Sequence, residues 1–530
     1  MVINMLRRAL SLYIFIIFSF MALMGRIVYI QRSEYSAVSQ TKNKRTVIVG
    51  EKRGMMYDRN FTPLVERETH LVSVVTPCAG AYGHLKGIVD SELLKKKIED
   101  GYPFIIETDT EINNEFIRTF SVSERYSDNN LAVHLIGYCD SKGETGVTGL
   151  EKAYNEYLSQ GSGRLTVTFD VDAVGRVLAG MDKTVNDDNY SGKSGVVLTL
   201  DTRVQKIAEE ALKNSTIESG CVIVMHAHTG EILAMASVPV FNQNNVAESL
   251  TQSNSPLVNK ALQPYSVGSV FKPIVAAAAL ESGIDHREKY TCTGVITIGD
   301  RSFSCYKDKS HGEVDMTSAL ENSCNTYFIN LIMKADENLL VELCRSMGFG
   351  YEDTLAPTIK GACGTLPTHE QLKIKGNLAN FAFGQGSLTA TPLQIAKAYH
   401  TLATGNYIKP QLVMGFTNTM GLMTKEPSAQ SIKLLSDETV ITLRQMLLSV
   451  TENGMADNAD SDLVLLAGKT GTAQSGVFAD SKEVLRTWFA GFFPAENPHY
   501  IVVVLNENGT GGNTDCAPVF KKICENIVTD

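Results

Sequence analysis

The 530-residue chain has little of what marks several protein classes. Ten cysteines are too few for a disulfide scaffold. None of them forms a C-x2-C pair, the close spacing of zinc ribbons. There is no excess of positive charge. Lys and Arg number 48 against 58 Asp and Glu, a net charge of −10, which argues against nucleic-acid binding as the main task. Internal repeats and low-complexity tracts are absent, and only one apolar run is long. What is present is an ordinary globular composition, 44% apolar and 20% charged, in a chain long enough for two or three domains.

The long apolar run follows Arg7 and Arg8. From Ala9 to Gly25 the chain carries no charge, and Ile27–Ile30 continue the run after Arg26. As a helix, residues 9–30 span roughly 33 Å at about 1.5 Å per residue, enough for a hydrocarbon core of about 30 Å. Arg26 lies near one end, where its head group reaches the interface. The apolar stretch is long for a cleaved signal and no A-x-A-like site follows, so an uncleaved, single-pass anchor is expected. Residues 1–8 are then a cytoplasmic tail. The local charge count does not fix orientation, because Arg26, Arg32, Lys42, Lys44 and Arg45 flank the other end.

Residues 31–195 read as an irregular, β-rich region. Thr46–Gly50 and Arg164–Val171 alternate as strands, and Gly149–Leu158 reads as a short helix. The polar stretch Lys183–Gly195 is expected to be a domain boundary. A helix capped by Asp201 or Thr202 follows. Cys221–Ser237 reads as two strands turning at Thr229-Gly230. Leu463–Gln474, Thr487–Phe493 and Tyr500–Glu507 give three more strands, and Ala517–Val528 a last helix. Between the two strand groups the pattern is mostly helical. The expected α+β architecture is therefore one five-stranded antiparallel sheet, closed by chain-distant segments and packed between helices.

Three polar elements stand out in the second half. Ser269-Val270-Phe271-Lys272 opens an Ala-rich helix, and a serine and lysine three apart share one helix face. Pro273 is tolerated only in the first turn, which places Ser269 at the helix start, where backbone N–H groups favour developing negative charge. Ser323-Cys324-Asn325 and Lys469-Thr470-Gly471-Thr472 follow, the latter inside a strand. A glycine in a strand marks close approach of a ligand or another backbone. The order S-x-x-K, then S-x-N, then K-T-G matches the motif set of penicillin-binding proteins and class A β-lactamases, with Cys324 standing where the usual middle residue is Asp.

The chain resembles class B penicillin-binding proteins, membrane-anchored peptidoglycan transpeptidases, over nearly its whole length. Beyond the three motifs, Arg53-Gly54-Met55-Met56-Tyr57-Asp58-Arg59-Asn60 is similar to the family's R-G-x-x-x-D-R-N signature, and Gly149-Leu150-Glu151 to its G-L-E element. Gly230–Ser237, Gly384-Gln385-Gly386, Thr391-Pro392-Leu393-Gln394 and Trp488-Phe489-Ala490-Gly491-Phe492 agree in order as well. The resemblance implies a non-catalytic pedestal over 31–195 and a transpeptidase domain over 196–530, outside the cytoplasm.

A serine hydroxyl is a weak nucleophile without a base to take its proton. No His–Asp pair accompanies Ser269, so Lys272 is the expected base, lowered by roughly 3 pH units from an ordinary 10.4. Ser323 would relay a proton to the leaving amine, and Asn325 would hold Lys272 or the substrate amide. Lys469, with Thr470 and Thr472 beside Gly471, would hold a substrate carboxylate. The resemblance implies an oxyanion hole from the Ser269 and Thr472 N–H groups. Stem peptides ending in D-Ala-D-Ala are the implied substrate and β-lactams its covalent mimics. No cofactor and no metal are called for. No glycosyltransferase segment is apparent, so the implied partners are a separate glycan polymerase of the SEDS type and other wall-synthesis membrane proteins.

Competing readings are weaker. A class A β-lactamase needs a glutamate-activated water, and no E-x-x-L-N-like segment lies between Ser323 and Lys469. A non-catalytic scaffold that only acylates is the other alternative, and a cross-linking assay separates it. His226 and His228 alternate on a strand with no third ligand in view and read as one exposed face. Cys324 reads as a small buried hydrophobe. Cys292 and Cys305 are spaced so that a disulfide is permitted without being required. The Arg53–Asn60 stretch reads as architectural, with a buried Arg–Asp pairing expected.

Overall fold

The uncharged N-terminal run lies in a helix over Val2–Arg32, in a computed structural model that describes residues 2–32, 43–127, 129–178, 180, 182–479 and 482–529. Its apolar side chains are exposed all round; Phe15 and Phe18 are each 70% exposed. A helix of a water-soluble domain buries one apolar stripe, whereas this one is apolar on every side and has the length of a membrane anchor. Lys42, one of the flanking cations, lies outside the described residues.

The chain forms two units. The first comprises 1–52, 68–125 and 162–192, and the second 53–67, 126–161 and 193–530. In the first, Gly163–Asp170 pairs with Lys44–Lys52 on one side and Thr184–Asp188 on the other. A second sheet sets Thr69–Val75 between Phe104–Glu107 and Ile117–Ser123. The alternation seen in the sequence has its cause here, because Val49, Leu165, Val167 and Phe169 point into one small core with Val72, Val74 and Val122. The polar stretch expected to be a domain boundary supplies the strand Thr184–Asp188.

The second unit is built on a five-stranded sheet in the order Ile232–Val238, Gly220–His226, Tyr500–Gly509, Lys482–Phe493, Ala467–Ala479, every pair antiparallel. Chain-distant strands meet at its centre, where Val222, Ile223 and Val224 oppose Val504, Val503 and Val502. These strands are buried on both faces, which explains their continuous apolar sequence. Helices Thr202–Lys213 and Ala517–Thr529 pack together against the sheet, and Lys272–Glu281, Pro392–Thr404 and Asp437–Glu452 form a second helical group. Asp201 caps the first of these helices by accepting from the N–H groups of Arg203 and Val204. Thr391 and Gln394 form a reciprocal capping box on Pro392–Thr404, with Pro392 in its first turn.

The strand expected from Leu463 begins only at Ala467. The preceding carbonyls are engaged elsewhere, Leu465 by the Ala495 N–H and Leu466 by the Thr451 hydroxyl. The helix expected over Gly149–Leu158 is broken at Tyr154 into Gly149–Ala153 and Asn155–Gln160. Asn155, at the break, accepts from Arg53 Nη2 at 2.8 Å and from the Gly146 N–H at 2.7 Å.

The buried partner of Arg53 is Glu151, not an aspartate. Nε of Arg53 donates to Glu151 Oε2 at 3.2 Å, and its other nitrogens donate to the Glu144 carbonyl, Ser159 Oγ and Asn155. Asp58 instead accepts from the N–H groups of Asn60, Thr62 and Thr202, fixing its own turn to the first turn of Thr202–Lys213. Asp58 is engaged by its own turn and by Thr202, whereas Glu151 comes within bonding distance of Arg53. Removing one partner strands the other charge, and such losses cost about 3–5 kcal/mol. Glu151→Ala is expected to lower stability by about that amount, read as a fall in the urea unfolding midpoint.

Candidate active site

The serine helix begins with a tight 3-10 turn, Gly268–Phe271, and continues as an α-helix over Lys272–Glu281 with Pro273 in its first turn. Gly268 has φ +66°, and a Cβ there would lie 2.8 Å from the Thr472 carbonyl. Its N–H donates to the Gly384 carbonyl at 2.8 Å. Gly384 has φ +75°, and a Cβ on it would lie 2.1 Å from the Gly268 carbonyl. Three backbone segments therefore converge at the serine turn. Two further bonds brace it: Tyr399 donates its hydroxyl to the Val270 carbonyl at 3.0 Å, and Trp488 Nε1 donates to the Ser266 carbonyl at 3.0 Å.

Lys272 is fully buried. Its Nζ lies 2.6 Å from the Ser323 carbonyl, 2.6 Å from Asn325 Oδ1 and 3.1 Å from Ser323 Oγ. Burial pushes the Lys272 ammonium down to about 8, against a smaller upward pull from negative charge on Cys324 and Cys305. A neutral amine keeps two N–H donors and one lone pair. The two short contacts account for the donors, which leaves the lone pair free to face a hydroxyl. Among the described residues the Ser269 hydroxyl makes no hydrogen bond, so it stands unengaged one turn before the amine.

Ser323 ends the helix Met316–Glu321 with φ +51°, a left-handed conformation that costs a non-glycine residue about 1–3 kcal/mol. The surroundings hold it there. The Ser323 N–H donates to the Leu320 carbonyl, the Cys324 N–H donates to the Ala319 carbonyl, and the Ser323 carbonyl accepts from Lys272. Asn325 starts the next helix, Asn325–Lys334, and its Nδ2 donates to the Ser304 carbonyl at 2.9 Å. That bond orients Oδ1 toward Lys272.

The lysine strand pairs Lys469, Thr470, Gly471 and Thr472 with Ala490, Phe489, Trp488 and Thr487. Gly471 sits where a Cβ would lie 2.9 Å from a Val270 methyl, so the strand lies close against the serine turn. Lys469 is fully buried. Burial, and then the positive charge of Lys272, hold its ammonium well below the ordinary lysine range. Among the described residues no carboxylate pairs with Lys469; its Nζ lies 3.3 Å from the Thr470 carbonyl and 3.5 Å from Thr470 Oγ1. Thr472 is exposed, and its Oγ1 accepts from the Gly512 N–H at 3.4 Å.

All eight residues singled out from the sequence thus sit on elements that meet at or beside the serine turn. Lys272, Ser323 and Asn325 are hydrogen-bonded directly. The sequence reading missed the supports Ser304, Tyr399 and Ser266. Two of these act through backbone carbonyls, which leave no side-chain signature. His226, half-buried at the end of its strand, accepts from the His228 N–H, and His228 lies in the turn beyond, so the two histidines do not share one exposed strand face.

A sheet of this topology with a serine–lysine turn against its edge strand is the arrangement of the penicillin-binding transpeptidases. The chain belongs to that family: residues 220–525 match the penicillin binding protein transpeptidase domain. Among curated relatives it is 29% identical to the peptidoglycan D,D-transpeptidase MrdA of Acinetobacter baumannii, over 71% of this chain and 60% of that one. It is 27% identical to the probable peptidoglycan D,D-transpeptidase PenA of Neisseria gonorrhoeae, over 95% of this chain and 89% of that one. Among solved structures, a chain of a peptidoglycan synthase complex that coordinates polymerization and crosslinking shares the fold, with a TM-score of 0.70, 24% identity and 98% of both chains covered.

Because the backbones of Gly268 and Gly384 touch, a methyl at either distorts the serine turn. Gly384→Ala combines a positive φ with a 2.1 Å contact and is expected to cost about 1–3 kcal/mol, measured by urea unfolding.

Proposed function

We propose that the chain is a serine-type D,D-transpeptidase that cross-links peptidoglycan stem peptides and is covalently bound by β-lactams. The observation that carries this reading is the fully buried Lys272 amine, bonded to Ser323 and Asn325 one turn from Ser269, in a member of the transpeptidase family. Ser269 Oγ attacks the carbonyl carbon of the penultimate D-alanine, and Lys272 takes the hydroxyl proton. Negative charge that develops on the carbonyl oxygen meets the N–H groups of Ser269 and Thr472. The intermediate collapses as Ser323 passes a proton from Lys272 to the leaving nitrogen, releasing D-alanine. An amine from a second stem peptide then attacks the acyl-serine ester and regenerates the hydroxyl. Asn325 orients Lys272. Lys469, without a carboxylate partner, attracts the substrate carboxylate, which Thr470 and Thr472 hold beside Gly471.

Residues 1–8 form a cytoplasmic tail, 9–30 cross the bacterial cell membrane once, and the pedestal over 31–195 precedes the extracytoplasmic catalytic domain over 196–530, with 53–67 and 126–161 of the pedestal belonging to the same compact unit as the catalytic domain. The long apolar helix supports the anchor, and the fold shared with a chain of a peptidoglycan synthase complex supports a separate glycan polymerase, of the SEDS type, as partner. Other wall-synthesis membrane proteins complete the assembly.

Ser269→Ala is expected to abolish covalent labelling by a fluorescent penicillin while the unfolding midpoint stays within about 0.5 kcal/mol of the parent. Persistent labelling would overturn the assignment. The pH dependence has a definite sign. Only the neutral Lys272 accepts a proton, so the acylation rate is expected to fall as pH drops through about 8. Stopped-flow acylation across that range checks it; a flat profile would remove Lys272 as base.

A further inference from the structure

The face of the sheet that carries the Thr472 side chain also meets a buried carboxylate that the acyl transfer does not use. Strand pairing sets Thr472 opposite Thr487, so both side chains leave the same face of the sheet. Thr487 is fully buried, and its hydroxyl donates to Asp515 Oδ2 at 3.0 Å. The same oxygen accepts from the Thr510 N–H at 2.6 Å and the Gly511 N–H at 3.1 Å. Asp515 Oδ1 accepts from the Thr510 hydroxyl at 2.8 Å. Asp515 is only 7% exposed, and among the described residues no cation pairs with it. Two carboxylate oxygens thus hold four donors, from a sheet strand on one side and the segment beyond Gly509 on the other.

That segment, 509–512, leads from the strand Tyr500–Gly509 into the short helical turn Gly512–Asp515. Its glycines let it lie against the sheet. A Cβ on Gly509 would collide with Thr487 Oγ1 and Asp515 Oδ2, and one on Gly512 would lie 2.6 Å from the Gly471 carbonyl. So placed, Gly512 donates its N–H to Thr472 Oγ1 at 3.4 Å. A threonine hydroxyl has one hydrogen and two lone pairs. With a lone pair of Thr472 engaged by Gly512, its hydrogen is left to donate to an anion in front of the strand. A carboxylate only accepts hydrogen bonds, so this is the polarity that a substrate carboxylate needs from Thr472.

We infer that Asp515 is a positioning residue for recognition of the substrate carboxylate. By tying the 509–512 segment to Thr487, it holds Gly512 against Thr472 and fixes that hydroxyl as a donor. Asp515 acts through these residues and touches no reacting atom. The four donors that surround its charge also limit its repulsion of an incoming carboxylate. The effect on acylation rests on the transpeptidase reading; the tether between Asp515 and the 509–512 segment does not.

The test is a double-mutant cycle on the full chain in detergent, read as the second-order rate of acylation by benzylpenicillin, which carries the carboxylate. Asp515→Ala is expected to slow acylation about tenfold, and Thr472→Val by a similar factor. The two together are expected to be no slower than Thr472→Val alone, because Asp515 acts through that hydroxyl. Asp515→Asn keeps an oxygen for Thr487 and the two N–H groups, and is expected to stay within about threefold of the parent. A parent-like rate in Asp515→Ala, or effects of Asp515→Ala and Thr472→Val that multiply, would overturn the proposal. Should Asp515→Ala fail to fold, the exposed Thr510→Ala, which removes one donor, enters the same cycle with about a threefold slowing expected. No slowing there would overturn the proposal as well. Amide hydrogen exchange at Thr510 and Gly511 is expected to quicken in Asp515→Ala whether or not the chain acylates, and unchanged exchange would overturn the tether. Labelling of Ser269→Ala by penicillin would sink the transferase reading alone and leave the exchange result standing.

Discussion

A lysine amine buried to full depth with no carboxylate beside it is the constraint on which the site depends. Lys272 is held by three oxygen atoms from Ser323 and Asn325, and among the described residues no acid pairs with it. Such burial costs free energy that a salt bridge would have offset, and the cost appears as an ammonium that gives up its proton more readily. A second buried lysine, Lys469, is itself held well below the ordinary lysine range by burial and by the positive charge of Lys272. The arrangement persists only because the rest of the fold leaves Lys272 no alternative position.

The fold secures this through backbone contacts as much as through side chains. The turn bearing Ser269 is wedged between the lysine strand and the Gly384 segment, so closely that neither Gly268 nor Gly384 has space for a methyl. The strand itself is anchored by a sheet whose centre joins residues near 222 to residues near 503. The Ser323 turn, strained by its positive φ, is fixed by capping bonds and by Lys272. Rigid surroundings and a strained turn belong together here. The strain places a carbonyl and a hydroxyl on one amine at once, which a relaxed helix end would not do.

The parts of this legible in sequence were those that repeat a local pattern. Apolar runs joined by the Thr229-Gly230 turn identified two strands in Cys221–Ser237, a further run identified Tyr500–Glu507, and Pro273 placed Ser269 at its helix start. The errors fell where a distant group competes with a local preference. Tyr154 breaks a helix because Asn155 is bonded to Arg53, and the strand at Ala467 starts late because Leu466 is bonded to Thr451. Arg53 found Glu151 in place of Asp58 because Asp58 was already capping its own turn.

By itself, then, the order of residues determined the long apolar N-terminal helix and the sheet-forming strands and singled out the groups proposed to do chemistry, since each depends on neighbours a few positions away. Only the tertiary structure decided which groups meet. Ser304 supports Asn325, and the sulfurs at 292, 305 and 324 gather beside His311, through loops whose closure no spacing rule records. The physical reason is reach: periodicity and capping act within a turn or a strand, whereas the surroundings of a buried amine are assembled from segments that become neighbours only when the core forms.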